Sequence, residues 1–162
     1  MAIIYCDMDG VLADFKTAAV RTTGMSINKW MNIPSSKEKW SLIKQKKDFW
    51  STLPWMPGGR QLWSYISKFD PHILSAYVEE SFDPNCIPGK TAWLRKNTGL
   101  SNRSKINLVR RIDKKLFAKR GKPSILIDDY EKNVRDFINA GGQAIHHTNT
   151  SKTISQLKRL GF

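Results

Sequence analysis

The chain is short of acids, short of cysteine and without long apolar runs. Against 27 Lys and Arg it sets only 14 Asp and Glu, so its 162 residues carry a net charge of +13. A positive field of that size draws anions, from a nucleotide phosphate to a nucleic-acid backbone. The two cysteines, Cys6 and Cys86, sit in unlike contexts and exclude a disulfide framework or a cysteine metal site. No apolar stretch approaches the ~20 residues that cross a bilayer, so no membrane partner is expected. An apolar strand begins almost at Met1, which leaves no room for a cleaved signal peptide and predicts a cytoplasmic protein. Internal repeats and low-complexity segments are absent too. What remains, 40% hydrophobic and 25% charged, is the composition of one globular domain with a full core.

The positive charge is uneven. From Lys90 to Lys122 there are twelve Lys and Arg against the single acid Asp113. Arg110-Arg111 and Lys114-Lys115 read as solvated charges that could hold a longer nucleic acid.

Apolar strands alternate with helical stretches. Strands are expected at 2–7, 71–76, 105–109, 123–129 and 143–146. Helices are expected from Gly59, from Lys90, over 112–119 and 133–140, and over 153–160. That alternation predicts an α/β fold, a Rossmann-like parallel sheet with helices on both faces. The stretch 16–57 differs: it is Lys-rich, helix-forming and aromatic, with Ser35 or Ser36 as a helix cap and Glu38 in the first turn. It reads as a small helical cap inserted after the first strand, leaving 1–15 and 58–162 as the core.

Asp7-Met8-Asp9-Gly10 follows the apolar run Ala2–Cys6. A buried strand that ends in two closely spaced acids needs something positive between them, and a hard divalent cation such as Mg²⁺ takes oxygen ligands. Gly10 lets the chain turn sharply away. Ser75 and Asp128 also fall at the carboxyl ends of expected strands, the edge where parallel sheets place their ligands.

Asp7-Met8-Asp9-Gly10-Val11-Leu12-Ala13-Asp14-Phe15 resembles the first motif of the haloacid dehalogenase (HAD) phosphatases. Through Phe15 it is similar to the 5'(3')-deoxyribonucleotidase branch. The resemblance implies a phosphomonoester hydrolase acting on nucleoside monophosphates with Mg²⁺, as a monomer or homodimer. It makes Asp7 the nucleophile that forms a phosphoaspartate and Asp9 the general acid and base, with its main-chain carbonyl on the metal. Asp128 becomes a metal ligand, with Asp129 a second or outer one. Ser75 hydrogen-bonds the phosphoryl group beside Ala76. Lys90, three residues before Trp93, balances the carboxylates, with Lys96 as runner-up. Phe15 and Trp50 face the base, while Trp30, Trp40 and Trp55 read as cap core. Ser75-Ala76-Tyr77 departs from the Ser-Pro-like segment of these relatives and leaves the sugar preference open.

Two alternatives stand beside this reading. One is a polynucleotide 3'-phosphatase, which the basic block suits. The other is a nucleic-acid-binding protein on a catalytically silent HAD fold, which would have no need of the acids. Toprim domains and receiver domains arrange their acids in a different order. Cys6 reads as a packed core thiol, and His146-His147 as a surface pair at a strand end.

Overall fold

The computed structural model describes residues 1–162. In chain order the elements are β1 (Ile3–Cys6), α1 (Phe15–Thr23), α2 (Ile27–Met31), α3 (Ser36–Gln45), α4 (Gly59–Ser67), β2 (His72–Ala76), α5 (Cys86–Thr98), β3 (Ile106–Val109), β4 (Ser124–Asp128), α6 (Glu131–Asn139), β5 (Gln143–His146) and α7 (Thr150–Arg159). Short 3-10 segments lie at Trp50–Thr52, Arg103–Lys105 and Arg111–Phe117. No helix is long and apolar enough to cross a membrane. The chain divides into two compact units: Met1–Ala13, Trp55–Ala76 and Asn102–Phe162 form the first, Asp14–Pro54 and Tyr77–Ser101 the second. The second thus gathers the stretch read as a cap together with α5.

The first unit is built on a five-stranded sheet in the order β3-β2-β1-β4-β5, parallel at every pairing. Strand residues alternate between its faces. Tyr5, Leu74 and Leu126 point to one side, where they pack with Phe117, Ala118 and Phe137. The Tyr5 ring meets the edges of Phe117 at 5.5 Å and Phe137 at 6.4 Å between centroids. Ile4, Cys6, Ile73, Ile125 and Ile127 alternate to the other side and are just as buried. Each such aliphatic or aromatic contributes roughly 1.5–3 kcal/mol by leaving water. Because β1 pairs with β2 on one side and β4 on the other, its carboxyl end lies at the switch of strand order, where such sheets bind ligands.

The basic helix expected over 112–119 is instead the 3-10 segment Arg111–Phe117. With three residues per turn, positions 111, 114 and 117 share one side. Lys114 and Phe117 are the buried pair of the segment.

In the second unit α1, α2 and α3 start on side-chain caps. Asp14 accepts from the Thr17 amide at 3.1 Å, and Ser35 accepts from the Glu38 amide at 3.3 Å. The core of this unit is aromatic. Phe15 lies 5.5–6.0 Å from Trp30, Trp40, Phe49 and Trp50, stacked on Trp50 at 24°. Buried indoles need acceptors for their N–H groups. Trp30 donates to the Lys39 carbonyl, Trp93 to the Leu53 carbonyl and Trp50 to the Asp83 carboxylate. Trp55, read as cap core, belongs to the first unit, where it bridges to Ala13.

Candidate functional site

β1 and β4 deliver acids to the same edge of the sheet. Asp7 follows β1 directly, its amide donating to the Ile127 carbonyl at 2.9 Å, and Asp128 ends β4. Carboxylate oxygens of Asp7, Asp128 and Asp129 all lie within 4.8 Å of one another. After Asp7 the chain coils tightly, with the amides of Val11, Leu12 and Ala13 all donating to the Met8 carbonyl. Gly10 sits in this coil at φ +80°, where a β-carbon would fall 2.1 Å from Asp129 Oδ2. The absent side chain is what lets the Asp129 carboxylate approach the Asp-x-Asp turn.

A buried lysine threads the cluster. Lys114 Nζ lies 3.0 Å from Asp7 Oδ1 and 2.8 Å from Asp128 Oδ2. Lys114 is therefore not the solvated cation expected from the sequence: it is 3% exposed, because the 3-10 segment turns it inward with Phe117. Other donors fix the remaining atoms. The Tyr130 amide donates to Asp128 Oδ1 at 2.9 Å, Asn133 Nδ2 to Asp128 Oδ2 at 3.1 Å, and the Met8 amide to Asp7 Oδ1 at 2.9 Å. Arg111 in turn reaches Asn133 Oδ1 at 3.4 Å.

One ammonium among three carboxylates leaves negative charge in excess. Burial, then the Asp7 charge, push the Asp128 carboxyl up to about 6 against the pull of Lys114. Burial with the charges of Asp7 and Asp128 pushes Asp129 up to about 7. Burial works against the Lys114 ammonium, but the two adjacent carboxylates outweigh it and hold the group charged far above the usual lysine range. Charge in excess on a set of hard oxygen donors is the environment of Mg²⁺, and Asp7, Asp128 and Asp129 fit that ion.

No protein-family model and no curated protein matches the chain. Solved structures do match its fold. An L-2-haloacid dehalogenase from Xanthobacter autotrophicus, with chloropropionic acid covalently bound, has a TM-score of 0.60 at 13% identity, over 99% of this chain and 82% of that one. The chain has the haloacid dehalogenase-like fold. A hydrolase from Streptococcus pneumoniae TIGR4 matches at TM-score 0.55 and 11% identity, over 96% of this chain and 97% of the other. CbbY from Rhodobacter sphaeroides, in complex with phosphate, matches at TM-score 0.54 and 15% identity, over 88% and 84%. At such identities the likeness speaks to the fold alone.

Within this HAD-like fold the expected site residues fall into two groups. Asp7, Asp128 and Asp129 converge in the first unit, and Asp9 lies half-buried in the coil behind Asp7. Ser75 is buried one residue before the end of β2, with Ala76 following it. Lys90, Phe15 and Trp50 belong to the second unit. Lys90 is 1% exposed in α5, its ammonium 5.2 Å from the centre of the Trp50 ring. Trp50 is 1% exposed and packs among Phe15, Trp40 and Phe49. The position between the carboxylates expected for Lys90 is held by Lys114. Lys96 lies on the last turn of α5.

The histidine pair divides. His146 is exposed, its Nε2 3.0 Å from the Asp129 carbonyl. His147, read as a surface residue, is buried, with Nδ1 2.7 Å from Thr153 Oγ1. Adjacent strand residues face opposite ways, and α7 covers the side to which His147 turns. Cys6 is the packed core thiol expected, its pKa driven upward by burial.

Proposed function

We propose that the chain is a Mg²⁺-dependent phosphomonoester hydrolase working through a phosphoaspartate. On the resemblance of its first motif, its substrates are nucleoside monophosphates of the kind taken by 5'(3')-deoxyribonucleotidases. The observation that carries this reading is Lys114, bonded at once to Asp7 and Asp128 beside Asp129.

In-line phosphoryl transfer asks the protein for a fixed nucleophile, neutralised charge and a proton donor. A carboxylate oxygen of Asp7 forms the bond to phosphorus while the ester P–O bond breaks. Asp9 gives its proton to the leaving alcohol. Asp9, now ionised, takes a proton from water as that water attacks the phosphoaspartate. The P–O bond to Asp7 breaks, inorganic phosphate leaves and both acids return to their starting state. Lys114 holds Asp7 in place and offsets charge that gathers on the phosphoryl oxygens. Asp7, Asp128, Asp129 and the Asp9 carbonyl would hold Mg²⁺, which would supply further positive charge to those oxygens. On the same resemblance, Ser75 holds the substrate phosphate beside Ala76, while the burial of Trp50 among Phe15, Trp40 and Phe49 leaves its ring no face for a base.

Phosphate release from a panel of nucleoside monophosphates, with and without Mg²⁺, tests the reading. Release should require the cation and vanish in Asp7→Asn. Full activity in Asp7→Asn would sink the phosphoaspartate mechanism. Faster turnover of a 3'-phosphorylated oligonucleotide than of every mononucleotide would replace the substrate class.

A further inference from the structure

Two exposed lysines of the first unit line one groove. The 3-10 segment Arg111–Phe117 turns Lys114 and Phe117 inward, which leaves Ile112, Lys115 and Leu116 outside. Lys115, Leu116 and Lys119 line a surface cavity of about 540 Å³ with Asp136, Asn139 and Ala140. Gly141 lies against the Lys119 side chain. Arg111 approaches the lining Asp136 at 4.0 Å and sets its guanidinium 5.9 Å from the Tyr130 ring centre. Tyr130 is 50% exposed and Leu116 62%.

The segment that supplies Lys115 and Lys119 to this groove is strongly basic. Between Asn102 and Lys122 there are nine Lys and Arg and one acid, Asp113, which pairs with Arg110. Asp136, the acid within the groove, faces Arg111. Lys115 and Lys119 make no ion pair. Free ammonium groups along a concave wall suit a chain of phosphates. Exposed Tyr130 and Leu116 suit flat unpaired bases, which duplex DNA keeps inside its stack. A lipid surface offers anions but nothing that enters a concave groove.

We propose that this groove binds single-stranded nucleic acid, with phosphates on Lys115 and Lys119 and a base against Tyr130. None of the groove-lining residues belongs to the acid cluster, although Tyr130 adjoins Asp129, and binding there does not depend on the phosphatase reading.

Fluorescence anisotropy with a labelled oligothymidylate and the full chain tests it. Binding should saturate and weaken with salt by a log–log slope of roughly 0.7 for each phosphate neutralised. The double variant Lys115→Glu with Lys119→Glu should lose about tenfold or more in affinity and about 1.4 in slope. The milder Lys115→Gln with Lys119→Gln should move both in the same direction, and Tyr130→Ala should lose about fivefold or more. Hydrolysis of p-nitrophenyl phosphate should be unchanged in both lysine pairs. Unchanged affinity in those pairs, equal affinity for duplex, or competition by anionic vesicles as strong as by oligonucleotide would overturn the proposal. So would absence of binding in a chain that still hydrolyses phosphate esters. Binding that persists in a chain without hydrolysis supports the groove and counts against the phosphatase reading alone.

Discussion

At the scale of single residues, Lys114 and Lys115 show how little residue type says about role. They are adjacent in a run of cations, yet one is buried between Asp7 and Asp128 while the other is exposed. The acids were legible because a strand ending in carboxylates is a pattern that packing alone does not explain. Lys114 was not, because a lysine among lysines carries no mark of its own. The readable trace was the three-residue spacing of Arg111, Lys114 and Phe117, which signals a common side only once the turn is known to be 3-10. Lys114→Met should lower kcat about 10²–10³-fold, the range for loss of one preorganised charge-stabilising donor, with a smaller change in KM. Steady-state kinetics on the best nucleotide measures it. An effect confined to KM would show Lys114 to be a binding group only.

At the scale of elements, the aromatic helices of the second unit illustrate a different limit. Their tryptophans were visible in the sequence, but whether a ring meets a base or another ring depends on neighbours far along the chain. Trp50 donates to Asp83, 33 residues away, at 2.7 Å, and Asp83 is 1% exposed. Asp83 Oδ1 is taken by the amide and side chain of Asn85. Trp50→Phe keeps the ring contacts but strips Asp83 Oδ2 of its donor. Leaving a buried acceptor unmatched costs about 1–3 kcal/mol or more for a charged group. Urea unfolding should show that loss, and Asp83→Asn in the Trp50→Phe background should recover part of it. The strands fared better, because two or three adjacent buried aliphatics bounded by turn residues, as in Ile73-Leu74 and Ile125-Leu126-Ile127, have few other ways to fold. The final strand, Gln143–His146, falls where it was expected.

At the scale of the whole molecule, the acid cluster makes stability depend on pH and cation together. Asp128 and Asp129 stand at about 6 and about 7 when folded, against an ordinary 3.8. The folded chain therefore keeps protons that the unfolded chain releases. Without a divalent cation, these two groups cost stability progressively as pH rises from about 4 to about 7. His147, lowered by burial, acts in the opposite sense, so the cation-dependent difference is the useful signal. Mg²⁺ should raise the melting temperature more at about pH 8 than at about pH 5, since it binds the ionised carboxylates. An equal rise at both would mean that the cation binds elsewhere. The neighbouring lysines also make a built-in pair of chemical reporters. An amine-directed acylating reagent meets Lys115 in solvent, whereas Lys114 is enclosed and held in its unreactive protonated form. Peptide mass mapping should find Lys115 modified within the native lifetime. Modification of Lys114 should track the rate at which the sheet edge opens and slow when Mg²⁺ is added. A single tryptic region would then time surface chemistry and the breathing of the acid cluster in one experiment.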